Sequence, residues 1–141
     1  GFSDGGNIAL LFALKYPQYV EKLVLNGANL YPSGVKLPTQ IPIVAGWCAC
    51  GVCGLFSKRA KENWEMPNLM VTQPHIKPQE LGDLTIPTLV IAGENDMIRE
   101  KHTRLIAASL PNSKLVILPG DHFVARRNWE AFNPVVLEFL E

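Results

Sequence analysis

The sequence has no excess of either charge, few cysteines and no long unbroken apolar segment. Its 141 residues carry 13 basic and 13 acidic side chains, and no basic cluster alternates with aromatic residues. A neutral chain of this kind has no net field that attracts nucleic acid or an anionic membrane. The longest apolar stretch, residues 41–56, is interrupted by one proline and three glycines, which predicts that it does not cross a bilayer. We therefore expect neither nucleic acid nor a membrane as a partner.

Cysteine is equally scarce. The three cysteines, Cys48, Cys50 and Cys53, cannot all pair with one another, which favours reduced thiols and a cytoplasmic location. Structural zinc needs four ligands, so a fourth, such as His75, would have to come from elsewhere. The alternative is that the thiols are small apolar residues on a helix. No G-x-G-x-x-G follows a predicted strand, and we expect no cofactor and no metal.

Hydrophobic residues make up 48% of the chain, which is typical of one folded domain. Three apolar runs, at 22–27, 87–93 and 114–120, each end in glycine and predict buried parallel strands. Helical spacing of apolar residues predicts helices after residue 3, before Pro111 and at the end of the chain. In the last helix Pro134 predicts a kink, or a helix that starts afresh with Asn133 as its cap. This alternation predicts an α/β fold with a parallel sheet and flanking helices, as a single domain over residues 1–141.

Residues 29–85 form an insert that is too long for a plain connection, which is typical of a cap or lid. Helices, one or two in number, are predicted within residues 41–65. The run 57–61 is predicted to be a solvated helix face. Several large side chains of the insert either line a substrate pocket or pack the insert onto the sheet: Trp47, Phe56, Trp64, Met66 and Met70.

The chain opens with Gly1-Phe2-Ser3-Asp4-Gly5, a G-x-S-x-G pattern that places a serine on a sharp turn between a strand and a helix. Ligands of open α/β sheets gather beyond the carboxyl ends of the strands. There the sequence places Asp96 after the second predicted strand and His122 after the third. The chain order is therefore serine, acid, histidine.

Serine is a poor nucleophile until an imidazole accepts its proton, and the imidazole needs a carboxylate on its other nitrogen. His122 is the predicted base and Asp96 its partner. The backbone N–H of Asp4 is the predicted oxyanion donor.

Rival interpretations remain at this point. Asp96 could instead cap the helix that follows it, and Asp121 and Glu94 are rival acids, although Asp121 adjoins His122 and is poorly placed to reach its ring. His75 is predicted to be a histidine of the insert, and His102 a histidine on a helix surface.

The sequence resembles the C-terminal half of the α/β-hydrolases, among their small esterases and related hydrolases. The resemblance is carried by residues 1–7, 86–96 and 118–123. It implies a partial α/β-hydrolase fold with a helical cap insert, and catalytic roles for Ser3, Asp96 and His122. It also implies an acyl-serine intermediate on a small ester or related substrate, with Asp4 as oxyanion donor.

In that family about half of the sheet and the second oxyanion donor precede the elbow. We therefore expect catalysis by these 141 residues alone to be impaired, since one missing donor costs about 10²–10³ in turnover. An open sheet edge at residues 22–27 predicts a homodimer or other self-association. The alternative function is a non-catalytic α/β-hydrolase fragment stabilised by that association.

Overall fold

The predicted parallel sheet is confirmed. The computed structural model describes residues 1–141, apart from the side chain of Ala60. Within these residues three parallel strands lie in the order β1 (Leu23–Asn26), β2 (Thr88–Asn95) and β3 (Ser113–Asp121). The strand order follows the chain order, so each connection crosses over the sheet and all three carboxyl ends meet at one edge.

Burial differs among the strands. The first six residues of β2 are buried on both faces, as its unbroken apolar run predicts, whereas β3 is only half-buried. In the register, Leu25 of β1 lies opposite Val90 of β2, which lies opposite Leu115 of β3. These side chains pack with Leu10 and Ile106 of the flanking helices to form the core.

Six α-helices flank or cover this sheet in the described part of the chain. Helix α1 follows the opening motif, α2 and α3 lie in the insert, α4 connects β2 to β3, and α5 and α6 follow β3. Their bounds are Asp4–Lys15 for α1, Leu37–Gly54 for α2, Lys58–Thr72 for α3, Glu100–Ser109 for α4, Val124–Arg127 for α5 and Trp129–Leu140 for α6.

The apolar residues whose spacing predicts helix α1 face solvent in the structure. Ile8, Leu11 and Phe12 are exposed, whereas Leu10 and Ala13 are fully buried against β1. The 3.6-residue spacing therefore identified the helix, but a different set of residues packs on the core.

Helix α6 runs through Pro134 without restarting, so the predicted fresh start at Asn133 is wrong. Its N-cap is Asn128, whose side-chain amide donates to the backbone oxygen of Pro119. A proline inside a helix removes one backbone donor, and the rest of the helix ladder is retained here.

The insert contains two helices, within the predicted one or two, and α2 is continuous from Leu37 to Gly54 although it contains Pro42 and three glycines. Its 18 residues have a mean hydropathy of 1.3 and none of them is buried, so by length and composition alone α2 could cross a membrane. The indole rings of Trp47 and Trp64 stack 6.3 Å apart between α2 and α3. Trp47 Nε1 donates to Asn68 Oδ1 at 3.0 Å, which fixes the pair.

Two large side chains of the insert have neither predicted role. Phe56 is 88% exposed and Met66 is 73% exposed, so they neither line a pocket nor pack on the sheet. Cys48, Cys50 and Cys53 are free thiols on α2. Among the described side chains, no group of three or more potential metal ligands comes together.

Candidate active site

Ser3 lies on the turn between a short extended segment and α1. Phe2 forms a parallel bridge with Asn26 at the end of β1, and Ser3 N–H donates to the backbone oxygen of Asn26 at 2.8 Å. Asn26 N–H in turn donates to the backbone oxygen of Gly1 at 2.9 Å. The first three residues therefore pair with the end of β1, and this pairing positions Ser3.

The backbone at Ser3 is strained. Its φ of 52° and ψ of −124° lie in a region that residues other than glycine rarely adopt. Such a conformation costs about 1–3 kcal/mol and persists only where the surrounding contacts impose it.

The first glycine of the motif permits this turn. A methyl group on Gly1 would lie 2.3 Å from the backbone oxygen of Gly5, and one on Gly6 would lie 3.0 Å from Ala28 Cβ. A methyl group on Gly5 would meet no described atom within 4 Å. The close packing of the turn therefore depends on Gly1 and Gly6.

The structure brings Ser3, His122 and Asp96 into one hydrogen-bonded chain. His122 Nε2 lies 3.0 Å from Ser3 Oγ, and His122 Nδ1 lies 2.7 Å from Asp96 Oδ1. Both His122 and Asp96 are buried. A carboxylate on Nδ1 fixes the tautomer that leaves Nε2 free to accept the serine proton.

Asp96 does not cap the following helix, because α4 starts later and has Arg99 at its N-cap. Asp96 Oδ1 instead accepts a hydrogen bond from Ile98 N–H at 2.8 Å in addition to its contact with His122. This second bond holds the carboxylate in the orientation that the imidazole requires.

The two rival acids lie elsewhere. Asp121 forms an ion pair with Arg127 and accepts a hydrogen bond from Phe123 N–H at 2.9 Å. Glu94 is exposed at the end of β2. The hydrogen-bond partners of the His122 ring are Asp96 and Ser3, not these two acids.

Three residues around His122 were not identified from the sequence. Gly27 has a φ of +63°, and a methyl group on it would lie 2.8 Å from His122 Cε1. The imidazole also packs against two phenyl rings, with centroids at 4.9 Å from Phe2 and 5.6 Å from Phe123. Gly27 was visible only as the glycine that stops β1, and the two phenylalanines only as neighbours of Ser3 and His122 in the chain.

The N-terminus of α1 begins at Asp4, next to the Ser3 hydroxyl. Its backbone N–H donates to no described residue and remains available as an oxyanion donor. The helix dipole adds partial positive charge at this point. A pair of buried amides fixes the helix, since Asn7 Nδ2 donates to Asn29 Oδ1 at 3.0 Å and Asn29 N–H donates to Asn7 Oδ1 at 2.8 Å.

The insert closes over Ser3 and leaves little space. A cavity of about 20 Å³ is bounded by Ser3, by Ile43 of α2 and by Met70 of α3. A cleft of about 290 Å³ opens beside His122, with Lys36 and Phe123 on its walls. Of the large insert side chains considered above, Met70 lines the cavity at the serine.

His102 is buried, so the prediction of a surface histidine is wrong. Its Nε2 accepts a hydrogen bond from Leu30 N–H at 2.9 Å, and its ring packs nearly perpendicular to that of Tyr31, with the centroids 4.5 Å apart. Burial, and then the charge of Arg99, lowers the pKa of His102 to about 4. The neutral imidazole thus anchors the start of the insert. His75, by contrast, is exposed.

Comparison with known families decides the classification. The model of the serine hydrolase (FSH1) family matches residues 1–130. The chain belongs to this family.

Curated relatives extend beyond these 141 residues. The mouse protein named serine hydrolase BPHL is 28% identical over 160 residues, covering 100% of this chain and 53% of the relative. A 2-hydroxy-6-oxononadienedioate/2-hydroxy-6-oxononatrienedioate hydrolase from Cupriavidus pinatubonensis is 27% identical over 185 residues, covering 99% of this chain and 60% of the relative. The chain thus spans about half the length of the first of these relatives.

Solved structures confirm the fold. A hydrolase from Pseudomonas aeruginosa PA01 is 29% identical with a TM-score of 0.68, and the match covers 99% of this chain and 63% of that one. The meta-cleavage product hydrolase of Pseudomonas fluorescens IP01 has a TM-score of 0.72 at 19% identity, covering 99% and 62%. This member of the serine hydrolase family therefore has part of the α/β-hydrolase fold.

Proposed function

We propose that this chain carries the reacting groups of a serine hydrolase that cleaves a small ester or related substrate. The observation that supports this most directly is the continuous chain of contacts from Ser3 Oγ through His122 to Asp96, at 3.0 and 2.7 Å. These distances lie within the range over which a general base takes a proton from a nucleophile.

In the proposed first half-reaction, Ser3 Oγ attacks the carbonyl carbon of the substrate and its proton passes to His122 Nε2. The negative charge on the carbonyl oxygen is met by the N–H of Asp4 at the start of α1. Asp96 stabilises the imidazolium. His122 then gives the proton to the leaving oxygen as the carbonyl–oxygen bond breaks, which leaves an acyl group on Ser3.

In the second half-reaction a water molecule attacks the acyl carbon and gives its proton to His122. The bond to Ser3 Oγ breaks, and Oγ recovers that proton. The products are a carboxylic acid and the free enzyme. No step uses a metal or a cofactor.

The space at Ser3 favours a short acyl group. About 20 Å³ is room for roughly one water-sized group, whereas the cleft of about 290 Å³ beside His122 can take a larger leaving group. We expect p-nitrophenyl acetate to be hydrolysed with a higher kcat/KM than the butyrate and octanoate esters. An equal or rising kcat/KM with chain length would contradict this acyl preference.

Covalent labelling tests the nucleophile. A fluorophosphonate is expected to add to Ser3, with mass spectrometry locating the adduct on that residue. Ser3→Ala should abolish labelling, and Ser33→Ala, at an exposed serine on the turn Pro32–Gly34, should leave it unchanged. Labelling that survives in Ser3→Ala would refute the assignment.

The second candidate function is a non-catalytic fragment stabilised by self-association. It is favoured by the sheet edge beyond β1, where among the described residues only the segment 1–3 pairs with that strand, and by the exposed Ile8 and Phe12 of α1. This alternative predicts no labelling of Ser3 and a mass by light scattering that rises with concentration in the micromolar range. Labelling of a monodisperse monomer would exclude it.

A further inference from the structure

The far end of the helical hairpin formed by α2 and α3 is an apolar surface that no described residue covers. The hairpin tip comprises Val52, Leu55 and Phe56, followed by the cations Lys58, Arg59 and Lys61. Leu55 is 79% exposed and Phe56 is 88% exposed. Exposed apolar residues also continue along α2 towards its start, at Leu37 and Ile41, and the helix contains no charged residue.

The cations at the tip are all on one turn. Lys58, Arg59 and Lys61 lie in the first turn of α3, are exposed, and form no ion pair with another described side chain. Cations at a helix N-terminus oppose the helix dipole. Their placement therefore costs helix stability instead of adding to it, and an external group of opposite charge would offset that cost.

The charges are ordered along the hairpin. The tip is apolar, the three cations come next, and the acidic Glu62 and Glu65 follow further along α3. Segments that bind at the boundary between lipid headgroups and acyl chains combine Phe or Leu side chains with nearby Lys and Arg. The zero net charge of the whole chain conceals this local cluster.

We propose that the hairpin tip docks on an anionic lipid bilayer. Leu55 and Phe56 enter the headgroup boundary, and Lys58, Arg59 and Lys61 contact the lipid phosphates and carboxylates. The opposite end of the hairpin supplies Ile43 and Met70 to the cavity at Ser3. Docking therefore places α2 and α3, the two helices that bound this cavity, against a lipid surface. The proposal stands apart from the hydrolase assignment, since lipid binding is measured without any substrate.

Vesicle flotation tests the proposal. The purified protein is mixed with vesicles of phosphatidylcholine containing 30% phosphatidylserine, or of phosphatidylcholine alone. We expect binding to the anionic vesicles, at least tenfold weaker binding to the neutral ones, and loss of most binding in 0.5 M NaCl. Equal binding to both vesicles, or none to either, would overturn the proposal.

Variants of the tip separate its two contributions. Each cation near an anionic surface is worth about a fivefold change in partition, so K58E/R59E/K61E should weaken binding by about 100-fold or more. L55S/F56S should weaken it at least tenfold. The matched control K77E/K101E/R126E makes the same charge change at exposed residues elsewhere and should change binding less than threefold. A control as damaging as the tip variant would overturn the proposal.

Other occupants of the tip would give different results. If a second copy of this chain covers it, L55S/F56S will convert an oligomer to a monomer and wild-type protein will not float with vesicles. Thermal unfolding of each variant establishes that it is folded. If a variant does not fold, the dependence of wild-type binding on salt and on lipid charge still tests the proposal.

Discussion

Gly27 and His122 approach so closely that no side chain fits between them. A methyl group on Gly27 would lie 2.8 Å from Cε1 and 2.9 Å from Nδ1 of the imidazole, and 3.3 Å from Asp96 Oδ2. The residue also has a φ of +63°, which favours glycine. Gly27 therefore fixes the distance between the end of β1 and the histidine.

Gly27→Ala should displace the imidazole from Ser3. A shift of about 1 Å in a catalytic group costs about 10² in rate, so we expect fluorophosphonate labelling of Ser3 to slow by about 100-fold. Gly82→Ala is the matched control, because a methyl group there meets no described atom within 4 Å. An unchanged labelling rate in Gly27→Ala would show that the close approach does not position His122.

Asp96→Asn should leave the fold intact and remove most of the proposed activity. An amide cannot stabilise the imidazolium and can hold the wrong tautomer of His122, which in a serine protease triad costs about 10⁴ in kcat. Steady-state hydrolysis of p-nitrophenyl acetate measures the effect. Asp121→Asn changes the neighbouring acid that pairs with Arg127, and its kcat should fall less than tenfold. Similar losses in both variants would argue against Asp96 as the partner of His122.

The fold and the chain order of Ser3, Asp96 and His122 could be predicted because both follow from local sequence patterns. Apolar runs that end in glycine identified β1, β2 and β3, and the loops after β2 and β3 necessarily meet at one edge of a parallel sheet. Asp96 and His122 follow those strands. Their contact with Ser3 at this edge is a consequence of topology, whereas their catalytic roles remain predictions.

Features that depend on packing between distant segments could not be predicted. His102 has the sequence context of a surface helix, and only the return of residues 30–34 across α4 buries it. The full length of α2 could not be predicted for a different reason: Pro42 removes a single backbone bond early in an 18-residue helix and does not end it. Glycine at 27 carried no local sign that an imidazole would lie against it.

Acid should destabilise the protein through His102. Its pKa is about 4 in the folded chain and about 6.5 when exposed, so the unfolded state binds more protons between these values. The free energy of unfolding should therefore fall as pH drops from 6.5 towards 4, and the bond from Leu30 N–H should be lost on protonation.

Thermal unfolding at pH 7.5 and pH 5 measures this effect. His102→Gln keeps an acceptor for Leu30 N–H but does not titrate, so its melting temperature should fall less between the two pH values than that of the wild type. His75→Gln, at an exposed histidine, should behave like the wild type. Equal pH dependence in His102→Gln and the wild type would exclude His102 as the source.

The backbone strain at position 3 should make the protein more stable with glycine there than with a residue that has a side chain. The φ of 52° and ψ of −124° at Ser3 cost a residue with a side chain about 1–3 kcal/mol that glycine largely avoids, and the greater freedom of glycine in the unfolded chain returns about 0.4–1 kcal/mol of this. Ser3→Ala keeps the strain and loses the hydroxyl, so Ser3→Gly should exceed it in free energy of unfolding, by on the order of 1 kcal/mol.

Urea denaturation of Ser3→Gly and Ser3→Ala measures this difference, and neither variant should be labelled. The pair Ser33→Gly and Ser33→Ala is the control, since Ser33 has no positive φ, and there glycine should be the less stable. If Ser3→Gly is no more stable than Ser3→Ala, the turn does not store strain. A gain confined to position 3 would mean that the chain gives up stability to hold the serine hydroxyl beside His122, as expected where a strained backbone serves function.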